Sequence, residues 1–205
     1  MGCEGWASGD VLPYFKKIES NARGESDWHG GTGPVKVRQA EPNLPICDAF
    51  IQAAQDEGFP ILADMNTDAL EGFGFYDINS GGGVRMSAAK SYLSPLENRS
   101  NLNIYTNAYV LKVNIEDTKA SGVEYLVNGQ KETINVDGEI IISAGAIKSP
   151  QLLMLSGIGP EDELKKHNIP IKVISPKVGK TLQNHVCYRP QYLCSAPVSA
   201  SRHLN

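Results

Sequence analysis

Apolar residues recur at helical spacing near the start of the chain. Four of them follow the i, i+3, i+4, i+7 pattern that gives a helix one apolar stripe: Val11, Tyr14, Phe15 and Ile18. Asp10 precedes them as a candidate N-cap, and Pro13 then falls in the first turn, where its missing N–H does little harm. A second amphipathic helix is predicted over residues 46–57.

Residues 60–84 lack this periodicity and are rich in glycine and acidic residues. An irregular excursion of this length inside a domain is typical of a lid or a binding loop. Its acidic residues are interpreted as solvated surface rather than as a metal site: Asp64, Asp68 and Glu71. Ser87 is then predicted to cap a short helix that runs through Leu93.

From Leu102 onward the pattern changes to that of β-strands. Strand-like segments rich in β-branched and aromatic residues cover residues 102–105, 108–116, 122–127 and 131–136. Asn128-Gly129 separates the last two and is a strong signal for a two-residue hairpin turn. The sequence therefore predicts an antiparallel meander.

Residues 139–160 are the most informative stretch. Residues 139–143 include three consecutive isoleucines, which predicts a strand buried on both faces. Ala144 and Gly145 follow with small side chains, then Ser149 as a candidate N-cap and Pro150 as the first helical residue. Open α/β sheets bind nucleotides at such a turn beside a helix N-terminus, although a tight strand-to-helix connection would show the same spacing.

A further helix is predicted where acidic residues follow Pro160 and where Lys165, Lys166 and His167 lie at the other end, so that charge complements the helix dipole. Residues 171–174 then resemble a last strand. A net charge of −4 argues against a general nucleic-acid binder. No apolar run approaches the roughly 20 residues that span a bilayer.

Five stretches, in order, carry family signatures. They read GWASGDVLPYFKKIES from Gly5, HGGTGPVKV from His29, GVRMSAAKSYLSPLENRSNLNIYTNAYVLKV from Gly83, SAGAIKSPQLLMLSGIGP from Ser143 and VGKTLQNHV from Val178. Together they resemble the glucose-methanol-choline (GMC) oxidoreductases, which use FAD to oxidise alcohols. In detail they look most like the arthropod glucose-dehydrogenase-like branch.

Two parts of the family pattern are missing. The N-terminal G-x-G-x-x-G that receives the FAD pyrophosphate does not occur, and the chain does not reach the C-terminal region of the catalytic histidine. Asn184 also stands where the family usually has aspartate. The chain is therefore interpreted as an internal fragment, and by itself it is expected to be inactive.

The resemblance implies a mixed α/β fold. It would comprise part of a Rossmann-like FAD-binding domain with an antiparallel β-meander, and part of a substrate and lid domain. Residues 1–100 would supply the lid and substrate-domain segments, and residues 101–175 the returning part of the FAD-binding domain. Residues 176–205 would begin the return to the substrate domain.

The resemblance also implies contacts with FAD. In the family, the residue at the position of Val110 presents its backbone to the adenine, and Ala144 and Gly145 occupy the loop beside the ADP portion. A plain strand valine and a tight turn are the alternatives. Arg85 and Ser87 lie in the G-x-R-x-S segment and are interpreted as structural. No residue matches the family's catalytic pair, so no catalytic residue and no metal ligand is assigned.

The function implied is that of an FAD-dependent oxidoreductase acting on CH–OH groups of a small alcohol or sugar. A non-catalytic binding module derived from the same family is the alternative, and a gene-model artefact without an independent fold is a third. His185 is expected to pack structurally. The cysteines are interpreted as ordinary thiols, with a Cys187–Cys194 bridge as the alternative. Asn98-Arg99-Ser100 is a glycosylation sequon, usable only in a secreted protein.

Overall fold

A computed structural model describes residues 2–69, 71–188 and 191. The chain divides into two units, one of which extends to Leu102 while the other begins at Asn103. Within the described residues, no helix is long and apolar enough to cross a membrane. Cys194, one half of the disulfide considered above, lies outside the described residues.

The first unit begins with helix α1, Ser8–Ile18. Asp10 lies in its first turn rather than before it, and its Oδ2 accepts a hydrogen bond from the Ala7 N–H at 3.0 Å. Pro13 consequently lies inside the helix, not in its first turn as predicted. The apolar stripe is present, but Tyr14 and Phe15 are 69% and 62% exposed, because no described element covers that face.

Three short strands form a small sheet after α1. Strand β1, Glu19–Asn21, pairs in parallel with β2, Val35–Gln39, and β2 pairs antiparallel with β3, Asp77–Ile78. Helix α2, Pro45–Asp56, confirms the second predicted helix and buries Ala54. The ring of Phe73 packs against those of Phe50 and Phe59, with centroids 5.6 and 5.2 Å apart.

The end of the long excursion is a tight hairpin followed by a one-turn helix. Strands β4, Ser80–Gly81, and β5, Val84–Arg85, pair antiparallel across Gly82 and Gly83, which both have positive φ. Ser87 Oγ then accepts the Lys90 N–H at 3.2 Å, as expected of a cap. The helix that it caps is a π-helix, Ala89–Leu93, continued by a 3₁₀ turn, Ser94–Leu96.

The second unit contains the predicted meander. Strands β6, Tyr109–Glu116, β7, Lys119–Val127, and β8, Gln130–Asn135, form one antiparallel sheet in that order. Asn128 and Gly129 have φ of 51° and 79°, as a type I′ hairpin turn requires. The strand predicted over residues 102–105 is absent.

The buried strand predicted over residues 139–143 is also wrong. These residues form no strand, and Ile141 is 84% exposed. A strand buried on both faces needs a neighbour on either side, and no described segment pairs with this one. The three isoleucines are thus an apolar segment without strand partners among the described residues.

Helix α3, Gly145–Leu155, begins five residues before the predicted start at Pro150. Ser149 lies inside the helix, where its Oγ accepts the Ala144 N–H at 3.1 Å, and Pro150 is likewise internal. The serine therefore satisfies an amide at the start of the helix, as a cap would, but from within the second turn.

Helix α4, Glu161–Lys166, has acidic residues in its first turn and lysines in its last turn, as predicted. Strand β9, Ile158–Gly159, pairs in parallel with β10, Val173–Ile174, within the last predicted strand. Leu164 of α4 is 0% exposed and is accompanied in the core by Val113 and Tyr125 of the sheet.

We expect Leu164→Ala to destabilise the chain by about 2–5 kcal/mol, because it leaves a cavity in a fully buried position. Urea unfolding followed by circular dichroism measures the loss. Leu182→Ala is the matched control, since Leu182 is 70% exposed. An equal loss in both variants would contradict this assignment of the core.

Candidate functional site

The backbone at the start of α3 is open to solvent. Ala144 and Gly145 are both exposed, and Gly145 has φ of +85°. A Cβ built on Gly145 would meet no heavy atom within 4 Å. The first N–H groups of a helix have no partner within the helix and carry its positive dipole end. This turn can therefore receive a polar, negatively charged group at close range.

Val110 lies in β6, opposite Tyr125 of β7, and is 40% exposed. The pairing register shifts between Val110 and Lys112, which marks a bulge in the strand. Three positions later, the buried Val113 N–H donates to Ser156 Oγ at 2.8 Å. This bond fixes the C-terminal end of α3 against β6.

All three predicted cofactor contacts thus belong to the second unit. Val110 lies on β6, and Ala144 and Gly145 lie at the free end of the helix whose other end is bonded to β6. Each of the three residues is exposed to solvent, as a cofactor contact needs. Their role stays a prediction.

The first unit holds a buried polar cluster that sequence reasoning missed. His29, only 6% exposed, places Nδ1 2.9 Å from Glu19 Oε2 and Nε2 2.9 Å from Asp64 Oδ2. Asn21, equally buried, bonds to Glu19 through its side-chain amide at 3.1 Å. A carboxylate only accepts hydrogen bonds, so each ring nitrogen contributes when it carries the hydrogen.

Arg23 extends the cluster to a third carboxylate, that of Asp77. Its Nη2 lies 3.0 Å from Asp64 Oδ2 and also contacts Asp77 Oδ2. The hydrogen bond to Asp77 raises the pKa of Arg23. Partial burial raises the pKa of Asp64, but the Asn66 N–H, Arg23 and His29 outweigh burial, so that the pKa lies below its ordinary value. Asp64 is therefore part of an ion-pair network and not the solvated surface that the sequence predicted.

His29, Asp64 and Asp77 offer ligand atoms that all lie within 4.8 Å of one another, a spacing that a metal ion could use. The guanidinium of Arg23, however, already contacts both carboxylates. A divalent cation would have to displace this internal cation. The cluster is accordingly best described as a closed ion-pair network that joins the excursion to β1.

His167 and His185, the other histidines in the described part of the chain, share no cluster with His29. His167 faces Glu163 across one helical turn at 3.7 Å. His185 is exposed and not packed as expected, and its backbone N–H bonds to Asn184 Oδ1 at 2.9 Å. His203 lies outside the described residues.

Comparison with protein families gives one matching model, that of the GMC oxidoreductases, over residues 1–187. Mitochondrial choline dehydrogenase of Mus musculus is 42% identical over 198 residues, covering 97% of this chain and 33% of the relative. Oxygen-dependent choline dehydrogenase of Rhizobium meliloti is 40% identical over 199 residues, again with 97% of this chain and 36% of the relative covered. The chain thus spans about a third of the length of the curated relatives that it matches.

Two oxidases are among the solved structures with the same fold. Pyridoxine 4-oxidase from Mesorbium loti superimposes with a TM-score of 0.75 and 30% identity, covering 82% of this chain and 33% of that enzyme. Formate oxidase gives a TM-score of 0.72 at 25% identity, with 83% and 31% covered. The mixed α/β fold predicted from the sequence is confirmed.

The ion-pair network predicts how stability depends on pH. The pKa of Asp64 is lower in the folded chain, so Asp64 stabilises the fold above the ordinary aspartate pKa of about 4. This contribution disappears as the pH falls through the lowered pKa. We expect Asp64→Asn to lower the urea midpoint at pH 7 and to flatten the acidic limb of the stability profile.

Asp68→Asn is the matched control, because Asp68 is an exposed acid of the same excursion. Parallel urea titrations between neutral and acidic pH compare the two variants with the wild-type chain. Identical pH profiles for both variants would show that the ion-pair network around Asp64 does not stabilise the fold.

Proposed function

The chain belongs to the GMC oxidoreductase family, and on that premise we propose that it is part of an FAD-dependent oxidoreductase acting on CH–OH groups. The family match over residues 1–187 carries this proposal. The exposed turn at Ala144 and Gly145 supports it, because it lies at the start of helix α3, where the first amides can donate hydrogen bonds to a nucleotide. The substrate would be a small alcohol or sugar.

We assign the nucleotide half of FAD to the second unit. The backbone of Val110 would face the adenine, and the turn at Ala144 and Gly145 would lie beside the ADP portion. The residues present suit this role, since Ala144 and Gly145 add no bulk and the helix start favours negative charge. The three side chains have no acid–base chemistry of their own, so their contribution is to bind and orient.

When bound, FAD supplies the acceptor for the hydride that leaves the alcohol carbon. No residue of this chain is given the role of the base that takes the hydroxyl proton. By itself the chain is therefore expected to show no turnover. Because it lacks the G-x-G-x-x-G stretch that receives the FAD pyrophosphate in the family, it is also expected to bind FAD weakly or not at all.

The domain organisation follows from the same premise. Residues 1–100 would contribute lid and substrate-domain segments, residues 101–175 the returning part of the FAD-binding domain, and residues 176–205 the start of the return to the substrate domain. The division of the chain after Leu102 is compatible with the first of these boundaries.

The signature stretches and the curated relatives point to different substrates. The signature stretches look like the glucose-dehydrogenase-like branch, whereas the relatives named above are choline dehydrogenases. Choline and glucose are accordingly the two substrates to compare. If the whole enzyme prefers glucose, the branch proposed from the signatures is supported. If it prefers choline, that branch is overturned.

The cofactor-site residues can be tested on the chain alone with ADP, the nucleotide half of FAD. We expect ADP to shift the amide resonances of residues 110 and 144–148 in an NMR titration. Ala144→Leu should weaken this binding about tenfold or more, because the side chain fills the open turn. Ala53→Leu, at an exposed position of α2, should leave it unchanged. Shifts confined to the first unit would contradict the assignment.

The function can be tested in a chimera. Mouse choline dehydrogenase, with its matching third replaced by this chain, should purify with bound flavin and oxidise an alcohol. The natural enzyme is the positive control, and circular dichroism checks the fold of the chimera. A folded chimera without flavin would favour a non-catalytic module over an oxidoreductase.

A further inference from the structure

A cavity of about 730 Å³ lies in the first unit beside the β4–β5 hairpin. Its polar lining comes from Asp77, Asn79, Ser80, Arg85 and Ser87. None of these residues belongs to the proposed cofactor contacts, which lie in the second unit. The cavity therefore needs an explanation of its own.

The β4–β5 hairpin brings several hydrogen-bond donors to the cavity lining. Ser80 and Arg85 are direct cross-strand partners, held together by the tight turn at Gly82 and Gly83. Ser87 follows two residues later, and its Oγ accepts the Lys90 N–H at 3.2 Å. Its own O–H stays available to donate, since a hydroxyl both accepts and donates.

Arg85 has no carboxylate partner among the described residues. Asp77 is the one acidic residue in the lining, and its side chain, 7% exposed, is already paired with Arg23. Within the described part of the chain, no carboxylate lies within 4.0 Å of the Arg85 guanidinium. An arginine that has no acidic partner and lies beside hydroxyl donors is a site for an anion.

We propose that this cavity binds a small oxyanion, either a carboxylate or a phosphate group. The guanidinium of Arg85 supplies the charge and a planar fork of N–H donors, which fits the oxygens of either group. The hydroxyls of Ser80 and Ser87 supply further donors. In this proposal Ser87 binds the anion as well as capping the helix, and Arg85 binds the anion and is more than a structural residue.

The chemistry of the lining argues against a cationic ligand. An organic cation would meet the uncompensated charge of Arg85. A metal ion would find no unpaired carboxylate in the lining, because Asp77 is engaged by Arg23. The proposal does not depend on flavin binding, so a chain that binds the oxyanion but no nucleotide still supports it.

Titration of the chain with inorganic phosphate and, separately, with acetate tests the proposal. We expect saturable shifts of the amides of residues 79–88 with at least one of the two, and the stronger binder identifies the class of oxyanion. Arg85→Gln should weaken that binding roughly tenfold or more, since it removes a charge-assisted hydrogen bond. Arg99→Gln removes another exposed arginine and should leave the affinity unchanged.

Equal affinity in wild type, Arg85→Gln and Arg99→Gln would overturn the site, as would saturable shifts only outside residues 79–88 or none at all. Should Arg85→Gln fail to fold, Arg85→Lys decides, because it keeps the charge and loses the planar fork. Weaker binding in Arg85→Lys than in wild type supports the site, and unchanged affinity overturns it.

Discussion

The turn into helix α3 determines what the second unit can bind. Gly145 adopts φ of +85°, a left-handed conformation that costs a residue with a side chain about 1–2 kcal/mol. The glycine thus allows the chain to enter the helix sharply and leaves no Cβ above the first amides. Ser149 satisfies the Ala144 amide from inside the helix, and the hydrogen bond from Val113 to Ser156 fixes the far end against the sheet. An open backbone is in this way held by a rigid frame.

The first unit depends on a different kind of constraint. Its strands are short, and a cluster of charged and amide side chains joins the long excursion to them. Arg23 is central, because it serves both Asp64 and Asp77. Because Asp77 pairs with Arg23, it does not pair with Arg85 in the neighbouring cavity. A single internal arginine therefore affects both the stability of the excursion and the electrostatic character of that cavity.

Features set by neighbouring residues could be predicted from the sequence. The Asn128-Gly129 hairpin and helix α2 depend on local spacing and turn chemistry, and both are present. Features that depend on distant residues could not. The isoleucines of residues 139–143 look like a buried strand, but a strand forms only with partners, and local sequence does not show whether partners exist.

The same limit explains the missed polar cluster. His29 reads as a loop residue in sequence, and its partners Glu19 and Asp64 are ten and 35 positions away. No short motif connects them. The roles of Val110, Ala144 and Gly145 could be proposed only because whole stretches resemble a family, since spacing alone also fits an ordinary strand and a tight turn.

Photolabelling with 2-azido-ADP, followed by peptide mass spectrometry, shows which residues of the chain the nucleotide half of FAD touches. We expect label in the peptides that contain Val110 and residues 144–148, and protection of both by excess unmodified ADP. Label confined to peptides of the first unit, or label that excess ADP does not reduce, would contradict the assignment of the nucleotide site to the second unit.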